Sequence, residues 1–266
     1  MKINIVANAY ERSQQVAAEL SEKLRQRGFE VNHEYPDMVI TVGGDGTLLH
    51  AFHEYEDQLD HLRFIGIHTG HLGFYTDWRD FELDSLVDSL CQDKGESVDY
   101  PVIDVYATLK DRSEVLFYRT LNESTVRRVN HTLVADIMIG DQFFERFRGD
   151  GVAIATPTGS TGYNKSIGGA VMSPQVEAMQ LSEMASINNR VFRTLGSPII
   201  VNKNEWVHLL LDDDADCILT VDQNTYYLNG IRDLYYTVSN QKVRFAKYRH
   251  TNFWRRVRDA FIEDES

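Results

Sequence analysis

The chain has 266 residues, 42% of them hydrophobic and 25% charged, which is enough apolar material for a full-sized core in one large domain or two modest ones and excludes disorder and collagen-like repetition. Its 40 acidic against 27 basic side chains give a formal charge of −13, the wrong sign for a surface that grips a nucleic-acid backbone or anionic lipid. Neither nucleic acid nor membrane is therefore expected among its partners, and a polyanionic ligand needs local help to bind.

The amino terminus, MKINIVANAY, has an apolar run broken by Asn4 and Asn8 and so lacks the hydrophobic region of a secretory signal. No later segment approaches the ~18 apolar residues of a membrane span. Cys91 and Cys217 stand far apart with no zinc-type spacing, which reads as two reduced structural thiols in a cytoplasmic protein. Ile3–Ala7 has the pattern of a strand, and the helix after it, from about Ser13, carries Val16, Leu20 and Leu24 at every fourth position before Gly28 stops it. A short strand around 29–32 follows. The continuous apolar run from Met38 to Val42 is of the kind buried on both faces of a parallel sheet, and it ends in Gly43-Gly44-Asp45-Gly46. Thr47 can cap a helix bearing Leu48, Leu49, Phe52 and Tyr55, and a strand from Arg63 to Ile67 leads into the loop at 68–73. Alternation of strands and helices through about residue 95 predicts an α/β domain with an open parallel sheet over residues 1–100.

Past Pro101 the character changes. Val102–Leu109, Val115–Leu121, Leu133–Ile139, Val152–Ala155, Val207–Leu211, Ile218–Val221 and Val243–Tyr248 are short β-rich runs set apart by turn residues, which predicts a β-rich domain over 101–250. The closing stretch 251–266 has helical spacing at Phe253, Trp254, Val257 and Phe261, and it can pack back on either domain, here taken with the first.

Three elements carry chemistry. At Gly43-Gly44-Asp45-Gly46 a buried strand ends in a turn whose glycines let backbone amides approach a phosphate, with the positive end of the next helix aimed at the same place. Asp45 is an anion beside an anion site, and it fits there if it addresses a substrate hydroxyl or a magnesium ion on the phosphates; a tight turn with a helix-capping aspartate is the plain alternative. There is no Walker-type lysine and no third glycine of a dinucleotide fingerprint. The second element runs from Arg148-Gly149-Asp150-Gly151 to Thr156-Pro157-Thr158-Gly159-Ser160-Thr161-Gly162-Tyr163-Asn164-Lys165-Ser166, and its hydroxyls and one aromatic suit a base and ribose or, equally, a polar surface loop. The third, Asn122-Glu123, closes a β run and places an amide beside a carboxylate able to accept from both hydroxyls of a ribose. Asp212-Asp213-Asp214-Ala215-Asp216 lacks calcium-loop spacing and reads as a solvated turn. His50 and His53, three apart, have no third metal ligand in reach, so no protein-held metal is expected. His68, His71 and Trp78 lie in or beside a loop whose position alone assigns nothing.

The three elements in this order resemble those of the bacterial NAD kinases over nearly the whole length. The Gly-Gly-Asp-Gly-Thr turn is shared with lipid kinases and, more loosely, phosphofructokinases, and the hydroxyl-rich element narrows the choice. The resemblance implies an α/β domain joined to a β-rich domain with NAD between them, and transfer of the γ-phosphate of ATP, or of another donor such as polyphosphate, to the 2′-hydroxyl of the adenosine ribose, giving NADP. It implies that Asp45 is the proton acceptor, that Gly43, Gly44, Gly46, Thr47 and His50 lie at the donor phosphates, and that Asn122 and Thr161 hold the adenine. Glu123 would take the ribose hydroxyls, with Thr158, Gly162, Tyr163, Asn164 and Lys165 lining the same pocket. Arg148, Asp150, Ser166 and Ala185 would face the nicotinamide half, and Gln223 would sit near the ligand. Mg²⁺ on the triphosphate and a homodimer or homotetramer are implied as well. Gly162 departs from the alanine more frequent in the family, and Gln223 stands at a position expected to vary. A binding protein without turnover and a lipid kinase are the competing classes; an intact Asp45 argues against the first, and the nucleotide-type loop and net negative charge against the second.

Overall fold

The computed structural model describes residues 1–70, 72–110, 114–128, 130–212, 216–250 and 253–262. The chain forms two compact units, Met1–Asp99 together with the chain from Lys242 onward, and Tyr100–Gln241.

The first unit opens with β1 (Lys2–Ala7), α1 (Glu11–Gln26), β2 (Glu30–Val31), β3 (Met38–Gly43), α2 (Asp45–Glu54), β4 (Arg63–His68), β5 (Trp78–Arg79) and α3 (Leu83–Cys91). Strands β2, β1, β3 and β4 lie side by side in that order, all parallel, with β5 parallel to the end of β4. Every residue of β3 is buried, as its unbroken apolar run requires of a strand covered on both faces. Val16, Leu20 and Leu24 of α1 and Leu83, Leu86, Val87 and Leu90 of α3 pack with Ile3, Ile40, Ile65 and Ile67 in a single core. Trp78 belongs to that core, so its indole is a packing group. Cys91 is exposed and unpaired.

The second unit is a two-sheet sandwich. Its strands are β6 (Ser97–Leu109), β7 (Val115–Thr120), β8 (Glu123–Arg128), β9 (Leu133–Ile139), β10 (Gln142–Gly149), β11 (Gly151–Ala155), β12 (Ala178–Met184), β13 (Ile199–Asn202), β14 (Trp206–Leu211), β15 (Cys217–Val221), β16 (Asn224–Leu228) and β17 (Ile231–Ala246), with a short helix α4 (Tyr163–Ser166) after β11. One sheet runs β13-β12-β11-β8-β15-β16, antiparallel throughout. The other contains β10-β9-β14-β17, with β6 on β17 and β7 on β6. Inward residues alternate along the strands, as in Leu133, Ala135 and Ile137 or Cys217, Leu219 and Val221, and they meet in one core with Phe147, Ile154, Leu181 and Tyr236. Burial pushes the Cys217 thiol up to about 11, which keeps it a packing group.

The chain then returns to the first unit, where Phe245 at the end of β17 pairs with Phe64 of β4 and helix α5 (Phe253–Phe261) closes the described chain. The division expected at residue 250 therefore differs from the observed one by 242–250. A single 16-residue strand crosses the limit without a break in its β pattern, so the pattern carries no boundary signal. Several strands also escape the periodic reading: β8 (ESTVRR) and β12 (AMQLSEM) bury Ser124, Thr125, Gln180 and Ser182, each of which is hydrogen-bonded inside.

Candidate active site

In the first unit the glycine turn is shorter than the sequence suggests. Helix α2 begins at Asp45, directly after Gly44, and not at Thr47. Thr47 is buried within the first turn, where its amide donates to the Gly44 carbonyl (2.9 Å) and its hydroxyl accepts from Asn8 Nδ2 (3.4 Å). Asp45 and Gly46 thereby fall in the first helical turn, at the positive end of the helix dipole. Gly44 has an ordinary φ of −107°, and a side chain there would meet nothing within 4 Å, so its lack of one leaves the face above the turn open without serving any internal contact. His50 is exposed on the same helix.

The Asp45 carboxylate is held by consecutive backbone amides, Phe74 N–H on Oδ2 (2.8 Å) and Tyr75 N–H on Oδ1 (2.9 Å). Those amides are fixed in turn. Gly73 N–H donates to Thr76 Oγ1 (3.0 Å) and Asp77 N–H to the Gly66 carbonyl (3.0 Å). Gly73 is glycine for a steric reason, since a Cβ there would lie 2.1 Å from Asp45 Oδ1. Sequence reading found Asp45 and missed its holders, because the holding groups are main-chain amides some thirty residues away; the run Gly70-His71-Leu72-Gly73 was the one available signal, and His71 lies outside the described residues.

In the second unit Glu123 opens β8 and does not close the preceding strand, and the turn before it is built around Asp222. That aspartate has φ +52° and accepts from Thr120 Oγ1 (2.5 Å) and the amides of Leu121 (3.0 Å), Asn122 (2.6 Å) and Glu123 (3.2 Å), while its own amide donates to the Glu123 carbonyl (2.9 Å). Nothing in the sequence near residue 122 points to residue 222. The hydroxyl-rich segment locks onto the same turn. Thr156 and Thr158 hydroxyls donate to the Leu121 carbonyl (2.6 and 3.0 Å), and the Thr156 amide donates to the Asn122 carbonyl (2.8 Å). Gly159 lies so close that a Cβ would fall 2.0 Å from the Asn122 oxygen. Ser160 donates to the Pro157 carbonyl (2.6 Å) and Thr161 to that of Thr158 (3.1 Å). The hydroxyl protons of Thr158 and Thr161 thus hold the loop together, which leaves their oxygens as acceptors.

Glu123 is the electrostatically distinct group. Its Oε2 is buried without a hydrogen-bond partner, and burial first, then the Asp222 charge, pushes its carboxyl up to about 8 against a smaller opposing effect of the Tyr163 amide. A Cβ on Gly162 would sit 3.1 Å from that same Oε2. Tyr163 is partly exposed, with its hydroxyl 3.6 Å from Met184 Sδ; Lys165 and Ser166 are exposed, and Asn164 is fully buried with Oδ1 accepting from Ser182 (2.8 Å). A separate cluster forms where β10, β11 and β12 meet. The Arg148 guanidinium lies over the Phe192 ring (4.4 Å), the Asp150 amide donates to the Met184 carbonyl (2.9 Å), and Ala185 takes φ +46°. Gln223 is exposed beside Asp222. Among the described residues no group of three His, Cys, Asp or Glu side chains is placed to hold a metal ion, and no helix is long and apolar enough to cross a membrane. Asp212 of the acidic run pairs with Arg146, and Asp213–Ala215 lie outside the described residues.

Comparison with known proteins covers both units. Residues 7–94 match the family model of the ATP-NAD kinase N-terminal domain, and residues 121–248 that of the C-terminal domain. The chain is 51% identical over 265 residues to the NAD kinase of Enterococcus faecalis, with all of both chains covered. Its fold is shared with yeast NADH kinase solved with NADH (TM-score 0.86, 18% identity, 100% of this chain and 88% of that one) and with an Archaeoglobus fulgidus NAD kinase solved with ATP (TM-score 0.73, 23% identity, 97% and 99%). The chain is an enzyme, a kinase whose acceptor is a nucleotide. It belongs to the ATP-NAD kinase family, and its reaction is the family's, phosphoryl transfer to NAD giving NADP.

Proposed function

We propose that the acceptor atom is the 2′-hydroxyl of the adenosine ribose, that the donor is the γ-phosphate of ATP, and that Asp45 orients the hydroxyl and receives its proton. The observation that carries this reading is the carboxylate anchored by the Phe74 and Tyr75 amides at the first turn of α2, beside the open face above Gly44. In the transfer the ribose oxygen bonds to the γ-phosphorus, the bond from that phosphorus to the β-bridging oxygen breaks, the hydroxyl proton passes to Asp45, and ADP leaves. A carboxylate is a far weaker base than an alkoxide, so the proton moves late, as the new bond forms. Most of the acceleration then comes from alignment and charge neutralisation, with helix-start amides facing the phosphates. Mg²⁺ enters as part of the triphosphate substrate and neutralises its charge.

Glu123 supports the acceptor assignment, since a buried carboxyl oxygen without a partner matches a ligand that brings hydroxyl donors, as a ribose does. Asn122, Thr158, Thr161, Gly162 and Tyr163 surround the adenosine half in this reading, with Asn164 and Lys165 beyond them. Arg148, Asp150, Ser166, Ala185 and Gln223 meet the remainder of NAD, and Gly43, Gly46, Thr47 and His50 the donor. The ATP bound in the Archaeoglobus relative supports ATP over polyphosphate. The same reading carries a cytoplasmic homodimer or homotetramer.

The test is NADP formation from NAD, ATP and Mg²⁺, coupled to an NADP-specific dehydrogenase, with Asp45→Asn beside the wild type. The variant is expected to bind NAD within about threefold of wild type by calorimetry while losing at least about a thousandfold in kcat, because its amide keeps one accepting oxygen, sets an NH2 against the other backbone N–H and accepts no proton. Near-normal turnover in the variant removes Asp45 from the acceptor role.

A further inference from the structure

The segment that holds Asp45 is itself held from the far end of the chain. Helix α5 lays Phe253 and Phe261 against Phe74, with ring centroids 6.1 and 6.0 Å apart. Arg256, on the same face of the helix, has a side chain only 11% exposed; one guanidinium nitrogen donates to the Phe74 carbonyl and the other to Asp77 Oδ1. The second oxygen of Asp77 takes His250 Nδ1–H (2.7 Å). Burial drives His250 below the ordinary imidazole range, which favours the neutral ring, and Arg256 brings a cation to Asp77. His250 stacks on Phe245 (4.3 Å), which stacks on Tyr75 (5.6 Å).

One peptide group joins these contacts to the proposed acceptor. The Phe74 carbonyl and the Tyr75 N–H belong to the same planar unit, which is trans, so they point in opposite directions. Arg256 grips the carbonyl end while Asp45 Oδ1 takes the N–H end. A guanidinium on the carbonyl fixes the plane of the peptide and polarises it, which makes its N–H a stronger donor to the carboxylate. The Asp45 charge in turn acts on the Arg256 guanidinium, favouring its charged form against burial.

We propose that Arg256 is a positioning residue for phosphoryl transfer, acting through the Phe74–Tyr75 peptide to aim the Asp45 carboxylate, and that α5 is the scaffold that delivers it. This rests on the reading of Asp45 as proton acceptor. A lysine in place of Arg256 retains the charge opposite Asp77 but has no fork to span Asp77 and the Phe74 carbonyl together. Its effect therefore isolates the grip on the peptide from the burial of Asp77.

The experiment compares Arg256→Lys, Arg256→Met, Asp45→Asn and the Asp45→Asn/Arg256→Lys double variant in the NADP-forming assay. Arg256→Lys is expected to lose about tenfold in kcat with KM for NAD and ATP within about twofold, the signature of a misaimed group and not of a weakened binding site. Hydrogen exchange over residues 73–77 is expected to quicken in the same variant. Arg256→Met loses more and melts lower, because it leaves the Asp77 carboxylate without its cation; if it fails to fold, Arg256→Lys carries the test. In the Asp45→Asn background the lysine substitution is expected to change the residual rate by less than about twofold, since its target is gone. A tenfold loss repeated there, or wild-type kcat in Arg256→Lys, overturns the proposal while leaving the acceptor reading intact. Near-normal turnover of Asp45→Asn overturns the acceptor reading and this proposal with it.

Discussion

Asp45 and Glu123 are both carboxylates at the first residue of an element, helix α2 and strand β8, yet their surroundings are opposite. Both Asp45 oxygens are spoken for by amides of one rigid segment, and that segment is braced by Thr76, Gly66, Asp77 and Arg256. Glu123 has a buried oxygen with no hydrogen-bond partner and a second carboxylate nearby. The contrast separates two tasks. A group that must meet a proton at one point in a reaction is fixed by its own protein in advance, whereas a group that must recognise hydroxyls is kept short of partners until the ligand brings them.

The strongest way to break this contrast is to loosen Asp45 without changing its chemistry. Gly73→Ala puts a methyl group where Asp45 Oδ1 now lies, 2.1 Å from the oxygen, so the carboxylate or the 73–75 backbone must shift. The expected result is a fall in kcat of about a hundredfold with KM for NAD within about threefold, as displacement of an aligned group by around 1 Å implies. Steady-state kinetics in the coupled assay check this. Unchanged kcat means that the amide grip is incidental to turnover.

Glu123→Gln addresses the other pole. The carboxyl sits near 8 in the folded protein against an ordinary 4.5, so between these values the native state binds more protons than the unfolded chain and the stabilising contribution of the neutral group is lost as pH rises. The uncharged glutamine escapes that loss, and its melting temperature is expected to exceed that of wild type at pH 8.5 and to match it at pH 4.5. Binding runs the other way. Hydroxyl donors favour the charged carboxylate, so NAD affinity of the wild type is expected to rise toward pH 8 and level off above it, while the variant binds about tenfold more weakly at the plateau with a flat profile. Calorimetric titration across that range decides the matter, and a wild-type profile as flat as that of the variant sinks the assignment.

The two sites were unequally legible in the sequence, and for the same reason that they differ. The Gly43–Gly46 turn announces itself through contiguous glycines around one carboxylate; Asn122-Glu123 says almost nothing alone and announces itself only in company with the other two elements. What holds them does not: the Phe74 and Tyr75 amides are main chain, identical in every residue but proline, and Asp222 reaches its turn from a hundred positions away. Arg256 did leave a mark, a lone charge among Phe253, Val257 and Phe261 on the inner face of a helix, which is the pattern of a buried partner. In the fold, alternating strands such as Leu133–Ile139 were readable from their period. β8 and β12 were not, because polar residues satisfied by one another stand where apolar ones would signal a buried face. The hydroxyls of 156–161 read as donors for a ligand; their protons are used on the carbonyls of Leu121, Pro157 and Thr158, which leaves their oxygens to accept.

The smallest expected effect belongs to Gly162, whose substitution probes how much room Glu123 requires. Its φ of −85° lies outside the left-handed region, but its ψ of −136° is neither helical nor extended, so Gly162→Ala carries no expected gain in stability. The added methyl lies 3.1 Å from Glu123 Oε2, tighter than an ordinary contact, and the carboxylate must give way by a few tenths of an ångström. NAD affinity should therefore fall by about two- to threefold with kcat unchanged, because Gly162 touches the recognising carboxylate and not Asp45. The same substitution made on Glu123→Gln is expected to lose most of the effect on affinity, since the two groups are in contact and their effects are coupled. If the affinity loss persists at full size in that background, the methyl obstructs the nucleotide directly, and Gly162 lines the pocket in its own right.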